Sequence, residues 1–554
     1  MKRYASLDIV RGLCIIGMVS LHAFRRIYDA SWVGTEDLGG NSLLHILFLL
    51  GLAYAGGMAG LFLMVSTISH TISLRNNLRK GKDINSLIMR QLAGGFLLLL
   101  FAFIVESTLG QHGFLGTMAY VDPFSTPDYW NVLDENSARI LYRGFHFMTL
   151  HTIAWSVIVN SIIQWFLFRK GGADRNGRNV AVYVFLAVAV ILLTPVMWSL
   201  ADMVIPGYPF ATYPGTDRLV QYPLEGVSGL PDYMKLFILG PLAGQTEPLF
   251  PFLFISFIGA VFGIYLSTEH PPRYLPHKGM KFGGAMFLIG VLGLGLMWYS
   301  GLDSFQNLVD HTYEILRLPI WLPLLFLTTG GQIVFLMMFL RIVEYRGVAA
   351  SIVSRTAMIR RFSVVSLTVF TFQYMDAIPT YLLSLIPGIN VYSGKEELFW
   401  SVIAVLLIIL TWHLILKLWE RADFRGSAEW VMMLVRNGLP VLFSGVRSCR
   451  GNWFDASVLG RLSRNEDIEW IDLTPEKLRG PDRERDSRLA LWISALSLVI
   501  FPLVPLALYL ARRAREREGL NRFNDLSLRL SRLGIGLGAL IAFSLSQTKA
   551  YLLI

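Results

Sequence analysis

Apolar residues along this chain fall into long runs that are separated by short, charged loops. Ten of these runs have the roughly 20 residues that an α-helix needs to cross a bilayer core about 30 Å thick. They lie near residues 7–24, 57–74, 87–108, 147–168, 179–201, 248–266, 282–300, 319–341, 363–386 and 398–418. A further apolar stretch, 41–55, is predicted to lie at the interface or to re-enter, because only this choice places all the basic loops on one side.

The basic loops set the predicted orientation. Lys and Arg cluster in the loops 75–82, 169–178, 270–281 and 341–361, whereas the long loops 109–146 and 202–247 fall on the opposite side. Because cytoplasmic loops of membrane proteins carry an excess of Lys and Arg, we predict that the N-terminus and the basic loops are cytoplasmic. The expected fold is an all-α, polytopic membrane helix bundle of about ten core helices, placed in the plasma membrane.

Composition matters mainly for what it excludes. Of the 554 residues, 54% are hydrophobic and 16% are charged, with a mean hydropathy of +0.51. Soluble domains have about a quarter of their residues charged, so a soluble protein is excluded. The net charge of +10 is attributed to cytoplasmic loops and not to nucleic-acid binding. Cys14 and Cys449 give neither a disulfide framework nor a metal site.

The chain changes character after its core. We predict a core over residues 1–435, a polar cytoplasmic segment over 436–486 and a C-terminal membrane extension over 487–554. Apolar runs at 489–511 and 534–554 predict one or two further membrane segments. Two simple crossings would place their arginine-rich connector outside, against the charge rule, whereas Pro502 and Pro505 could break the first run into a re-entrant hairpin. Both arrangements stay open.

The first predicted helix carries three ionisable residues, Asp8, Arg11 and His22. At 100° per residue, Arg11 and His22 differ by about 20° around the helix, and Asp8 and Arg11 by about 60°. All three therefore share one face, which is typical of charged groups that face a bundle interior. This spacing favours an Asp8–Arg11 ion pair near the cytoplasmic end and a titratable imidazole near the outer end. The alternative is that Asp8 and Arg11 reach the interface while His22 lies in the outer headgroup layer.

The opening of the chain resembles that of a known group of membrane enzymes. Residues 3–12, which include Asp8 and Arg11, and residues 18–22, which end at His22, are similar to the first helix of the transmembrane acyltransferase superfamily. This group contains acyltransferase-3 proteins, heparan-α-glucosaminide N-acetyltransferases and YeiB-like proteins. Weaker matches follow in order at residues 61–69, 150–154, 247–259, 366–374 and 424–430, so the resemblance covers about residues 3–435.

The resemblance implies a function and roles for the first helix. His22 matches the acyltransferase-3 pattern, in which the helix-one histidine is the catalytic base, whereas the heparan acetyltransferases have Asn at that position. Asp8 and Arg11 would then brace this helix and meet the donor. The implied donor is cytoplasmic acyl-CoA, most simply acetyl-CoA, and the implied acceptor is a sugar or glycolipid of the cell envelope. An imidazole suits this reaction because it exchanges protons near neutral pH.

Residues outside the first helix have both functional and structural interpretations. His151 could support His22 or hold the acyl carbonyl, or it could be a hydrogen-bonded packing residue. Glu106 and Asp376 fall near predicted outer helix ends, where solvation is the simple expectation. Four basic residues near the cytoplasmic mouth suit the phosphates of CoA, although the charge rule for cytoplasmic loops explains them equally well: Arg75, Arg79, Lys80 and Arg90.

Two other functional classes compete with acyl transfer. A transporter or flippase would place charges inside the membrane just as naturally. No inverted repeat is visible in the sequence, which weighs against common transporter designs. A non-catalytic scaffold that uses the basic C-terminal region is the third class. The lipid bilayer is the one partner that the sequence requires, and a homo-oligomer is left open.

Overall fold

The structure is a computed structural model of the 554-residue chain. It describes residues 2–29, 45, 48–49, 51–52, 54, 59–111, 113–119, 144, 147–204, 229–243, 247–300, 321–346, 349–389, 391–392, 396–444, 455–466, 468–473, 485–497, 504–518 and 523–535. Most of the stretch 41–55 and of the loops 109–146 and 202–247 lies outside these residues, and so does most of the predicted segment 534–554.

The described residues form an all-α bundle with a single two-stranded sheet, which confirms the predicted fold class. The strands are β1 (Lys2–Arg3) and β2 (Glu469–Trp470). The core helices are α1 (Ala5–Ile27), α2 (Ala59–Arg79), α3 (Ile84–Ile104), α4 (Phe114–Ala119), α5 (Thr149–Phe168), α6 (Asn176–Val204), α7 (Leu230–Ala243), α8 (Leu249–Leu266), α9 (Leu275–Tyr299), α10 (Trp321–Val343), α11 (Ala349–Arg355), α12 (Ala357–Val364), α13 (Ser366–Thr371), α14 (Ala377–Ser384), α15 (Leu398–Glu420) and α16 (Ala428–Ser444). They are followed by α17 (Val458–Arg464), α18 (Arg485–Ser497), α19 (Val504–Glu518) and a helical segment over 523–535.

Eight helices in the described part of the chain are long and apolar enough to cross a membrane. They correspond to eight of the ten predicted runs, and the protein is an integral membrane protein. The predicted run 57–74 is not among these eight and corresponds to α2, which contains five Ser and Thr residues and packs closely against α8. Gly259 and Gly263 allow this approach, since a Cβ at Gly259 would lie 2.8 Å from the carbonyl oxygen of Met64. Small residues of this kind let membrane helices come close together.

The ninth run, 363–386, does not form one helix. The chain breaks at Val365 and again at Phe372, so that α12, α13, a 3₁₀ turn at Gln373–Asp376 and α14 follow one another. Hydropathy alone predicts a continuous helix here because most residues between 363 and 386 are apolar. Broken helices at membrane depth are tolerated where other protein groups satisfy the freed backbone. Glu429 does this at α13, accepting the N–H of Leu367 and, at 3.4 Å, that of Thr368.

A segment from beyond the core docks on the N-terminus. β2 pairs in parallel with β1, and the N–H of Ile471 donates to the carbonyl of Arg3 at 3.0 Å. Buried Arg360 of α12 donates to the carbonyl oxygens of Ser463 and Leu462 and stacks on Trp470 at 5.1 Å. Residues 455–466 and 468–473, which the sequence places in the polar segment 436–486, therefore close one end of the bundle. The domain boundaries at 435 and 486 remain predictions.

The C-terminal extension begins as a helical hairpin. α18 packs along α19, and the Ser494 hydroxyl lies 2.8 Å from the hydroxyls of Ser527 and Ser531 on the segment 523–535. Arg355 of α11 stacks on Tyr509 of α19 at 5.3 Å, so the hairpin touches the core. The membrane segments predicted for the extension include residues outside the described ranges.

Candidate active site

His22 lies near the C-terminal end of α1, at the junction of two irregular segments. One is the turn after α3, where a single π-helical turn over Val105–Leu109 brings Gln111 toward α1. The other is the 3₁₀ turn that follows α13, where buried Gln373 points at the same imidazole. Both amides come from places where a regular helix is interrupted. Interrupted helices of this kind recur at functional sites of proteins.

The hydrogen bonds to His22 define which nitrogen carries the proton. Nδ1 lies 2.8 Å from Oε1 of Gln373 and 3.1 Å from Oε1 of Gln111. With the amides oriented in this way, both partners are carbonyl oxygens that can only accept, so Nδ1 is assigned the proton and donates it. In the neutral ring, Nε2 then keeps its lone pair. Nε2 has no hydrogen-bond partner among the residues that the structure describes. The site therefore holds a half-buried imidazole with its basic nitrogen available.

An ion pair braces the same end of α1. Arg26, one turn beyond His22, pairs with Asp376 of the 3₁₀ turn that carries Gln373. Asp376 is only 3% exposed, so the expectation that it is solvated is wrong. The same correction applies to Glu106, which is 2% exposed within the π-helical turn. Sequence reasoning placed both carboxylates at helix ends, but these ends are covered by other parts of the protein.

The predicted ion pair between Asp8 and Arg11 does not form. Asp8 pairs with Arg3 of β1 at 2.9 Å, and Arg11 donates to the hydroxyl of Ser69 on α2 at 3.3 Å. Arg3 lies close enough to pair with Asp8 because the sheet with β2 fixes the N-terminal strand beside the first turn of α1. Arg11 is instead directed between α1 and α2. It lies on the same helix as His22, about 16 Å along the axis, and does not contact it directly.

His151 has its own surroundings near the start of α5. It is 4% exposed and packs against the rings of Phe103 and Phe147, with centroids 6.0 and 5.5 Å away. Its Nδ1 accepts the N–H of Met148 at 3.5 Å. The ring also lines an apolar pocket with Leu99, Trp155 and other side chains of α3, α5 and α7. None of the partners that the structure gives His22 is His151, so the two imidazoles are not joined in one hydrogen-bonded unit.

The four basic candidates for binding CoA differ in their burial and in their hydrogen bonds. Arg75 is 1% exposed, and its guanidinium donates to Ile264 O, Ser267 Oγ, Ala173 O and Asn176 Oδ1 at 2.5 to 2.8 Å. These bonds tie α2 to the end of α8 and to the connection before α6, so Arg75 is a structural residue and not an open phosphate ligand. Arg79 also donates to the carbonyl of Ser267, but its side chain is exposed. Lys80 and Arg90 are exposed.

These features define a class of protein before any comparison is made. The chain is a polytopic membrane protein that holds an imidazole at one end of its first helix, between two interrupted helices. Residues 3–134 match the family model described as the catalytic domain of heparan-alpha-glucosaminide N-acetyltransferase. This confirms the predicted resemblance over the N-terminal quarter of the chain, and it supports an acetyltransferase. No curated protein matches the chain.

Proposed function

We propose that this protein is a membrane-embedded acyltransferase that moves an acyl group, most simply acetyl, from cytoplasmic acyl-CoA to an extracytoplasmic acceptor. The acceptor is a hydroxyl or amine of a sugar or glycolipid. The observation that carries the proposal is the imidazole of His22, whose Nδ1–H is engaged by Gln373 and Gln111 while Nε2 stays available. The family match over residues 3–134 supports the class of reaction.

The reaction would proceed through general-base catalysis. Nε2 of His22 takes the proton of the acceptor O–H or N–H as that oxygen or nitrogen attacks the thioester carbonyl. A new ester or amide bond forms and the carbon–sulfur bond breaks. The imidazolium then returns its proton to the departing CoA thiolate, which leaves as the thiol. Gln373 and Gln111 act as positioning residues, since they hold the ring and stabilise the tautomer in which Nε2 is the base.

The donor would approach from the basic end of the bundle. Its thioester must then reach His22, which lies on α1 about 16 Å beyond Arg11. No metal is required for this chemistry, because the base and the leaving thiolate complete the proton balance. Arg79, Lys80 and Arg90 are exposed at that end and remain candidates for contacts with CoA.

The decisive experiment is single-turnover transfer by the detergent-purified protein. Radiolabelled acetyl-CoA is the donor, and glucosamine or an extract of membrane glycolipids is the acceptor. His22→Gln should lower the rate by about 10²–10⁴-fold, because the amide cannot take a proton. His277→Gln, which changes an exposed histidine at the start of α9, is the matched control and should keep wild-type rates. Wild-type transfer by the folded His22→Gln protein would remove His22 from the mechanism.

A transporter or flippase is the second candidate, and the broken helix over α12 to α14 favours it. Discontinuous helices near the middle of the membrane form substrate sites in many transporters. This candidate predicts CoA-independent movement of a glycolipid across liposomes that contain the protein. Labelled product in the transfer assay, together with lipid movement no faster than in empty liposomes, would exclude it.

A further inference from the structure

Basic side chains from four helices lie near one another at the end of the bundle that carries the N-terminus. We define this phosphate-site cluster as His70 of α2, Arg90 of α3 and Arg436 of α16, with Arg11 of α1 beside it. His70 lies within electrostatic reach of both Arg436 and Arg11, and Arg436 within reach of Arg90. Arg90 is exposed, whereas Arg436 is half-buried, and a guanidinium that is partly removed from water is costly unless something compensates its charge.

The backbone around the cluster is built to hold it in place. Gln91 of α3 donates to the carbonyl of His70 at 3.4 Å, and it accepts the hydroxyl of Ser161 at 3.2 Å. Gly94, one turn further along α3, faces Arg436, whose Cδ would lie 3.7 Å from a Cβ at that position, an ordinary van der Waals distance. The side chain of Arg436 is thus packed against α3 beside Arg90 and Gln91.

Two described carboxylates within electrostatic reach of Arg11, those of Glu429 and Asp8, have other partners. Glu429 of α16 lies within reach of Arg11, but its carboxylate accepts Leu367 N, Thr368 N and Thr368 Oγ1 at the start of α13. Asp8 is paired with Arg3. The Nε of Arg436 is shut off from solvent and has no hydrogen-bond partner among the described residues. Burial and then the charge of Arg90 lower the pKa of Arg436, as expected for a guanidinium that lacks a counter-ion.

We infer that His70, Arg90 and Arg436 form a binding site for a phosphate-bearing ligand, and that its occupant is the nucleotide end of the acyl donor. This assignment of the occupant rests on the proposed function. A planar guanidinium matches phosphate oxygens with two parallel N–H bonds, and His70 adds a further donor. The position also fits, because Arg11 connects this cluster to the helix that bears His22.

The test measures ligand binding to the full-length protein in detergent by calorimetry. Arg436→Gln should weaken the affinity for CoA by about tenfold or more, and Arg436→Lys should restore part of it. 3′-Dephospho-CoA and inorganic pyrophosphate are measured with the same variants, so that the contacted phosphate can be assigned. Arg421→Gln changes an exposed arginine after α15 and should leave every affinity unchanged.

Each outcome bears on a different part of the inference. Loss of CoA and pyrophosphate affinity in Arg436→Gln alone supports the site and its occupant. Pyrophosphate binding that depends on Arg436, in a protein that neither binds CoA nor transfers acetyl, keeps the site but removes the proposed function. Phosphatidic acid retained in native mass spectrometry only when Arg436 is present, with unchanged CoA affinity, would make a lipid headgroup the occupant and overturn the donor assignment. Unchanged binding of CoA, pyrophosphate and phosphatidic acid overturns the site.

Discussion

Glu344 offers a direct test of how the N-terminal end of the bundle is held together. It follows α10 directly and is fully buried, and its Oε1 accepts the N–H of Ser6 at 2.8 Å in the first turn of α1. Its own carbonyl accepts the N–H of Leu473 at 3.0 Å, which fastens the segment after β2. One residue thus caps the helix that carries His22 and anchors the docked C-terminal segment.

Burial raises the pKa of Glu344 from its usual 4.5 to about 8. A raised carboxyl pKa means that the folded state binds the proton more tightly than the unfolded state. The stabilisation is therefore complete below about pH 4.5 and is lost as the pH rises through about 8. Each unit of difference is worth about 1.4 kcal/mol, so the whole effect has an upper limit on the order of 5 kcal/mol.

Glu344→Gln isolates this effect because glutamine keeps a carbonyl acceptor for Ser6 and carries no charge at any pH. We expect the variant to match the wild-type protein near pH 5 and to be the more stable one near pH 9. The assay is the thermal unfolding midpoint in detergent, followed by tryptophan fluorescence in steps from pH 5 to 9. Glu466→Gln changes an exposed carboxylate on the docked segment and is the control, with a small difference that does not grow with pH. A constant difference between wild type and Glu344→Gln over the whole range would refute a buried, proton-binding Glu344.

Two further predictions concern structural polar contacts in the core. Arg75→Leu should lower the unfolding midpoint strongly, because it removes four hydrogen bonds of a buried guanidinium, two to buried and two to half-buried acceptors, at about 1 kcal/mol each, whereas exposed Lys80→Leu should not. The folded fraction of Arg75→Leu should still bind CoA normally, and a selective loss of CoA affinity would return Arg75 to the donor site. Thr368→Val should cost about 1–3 kcal/mol, since its hydroxyl donates to Glu429 and accepts the N–H of Ala428. Thr371→Val, which loses only a bond to its own helix, should cost less, and equal losses would argue against this shared cap.

The sequence predicts the spanning helices well because their signal is local. Each of the eight helices long and apolar enough to cross a membrane within the described ranges is a run in which apolar residues predominate, so length and hydropathy suffice. The shared face of Arg11 and His22 also follows from helical spacing alone. What spacing cannot supply is the partner of each charged group. Asp8 forms its ion pair with Arg3 and not with Arg11, because pairing with the strand at residues 469–470 fixes the N-terminus.

The interruption between α12 and α14 shows most clearly what the sequence alone does not predict. Its apolar residues predict one helix, yet the polar groups that make the break possible are far away in the chain. Glu429 lies 61 residues beyond Thr368, and His22 lies 351 residues before Gln373. A single sequence gives no information about such pairs. The amides that hold the imidazole were therefore not foreseen as part of the site.

The structure distinguishes arginines that stabilise the fold from arginines that are available to a ligand, although both look alike in the sequence. The charge rule treats every basic residue near the cytoplasmic face alike. Counting acceptors treats them differently, because a buried guanidinium costs several kcal/mol unless its N–H groups are satisfied. Arg75 has four acceptors, and Arg360 has two carbonyls and the face of Trp470, so folding itself accounts for both. The buried Nε of all three arginines, Arg75, Arg360 and Arg436, lacks an acceptor, but Arg436 also has no hydrogen bond from its other nitrogens to the described residues, and another cation lies nearby. Folding alone does not account for that arrangement, and an anionic ligand does.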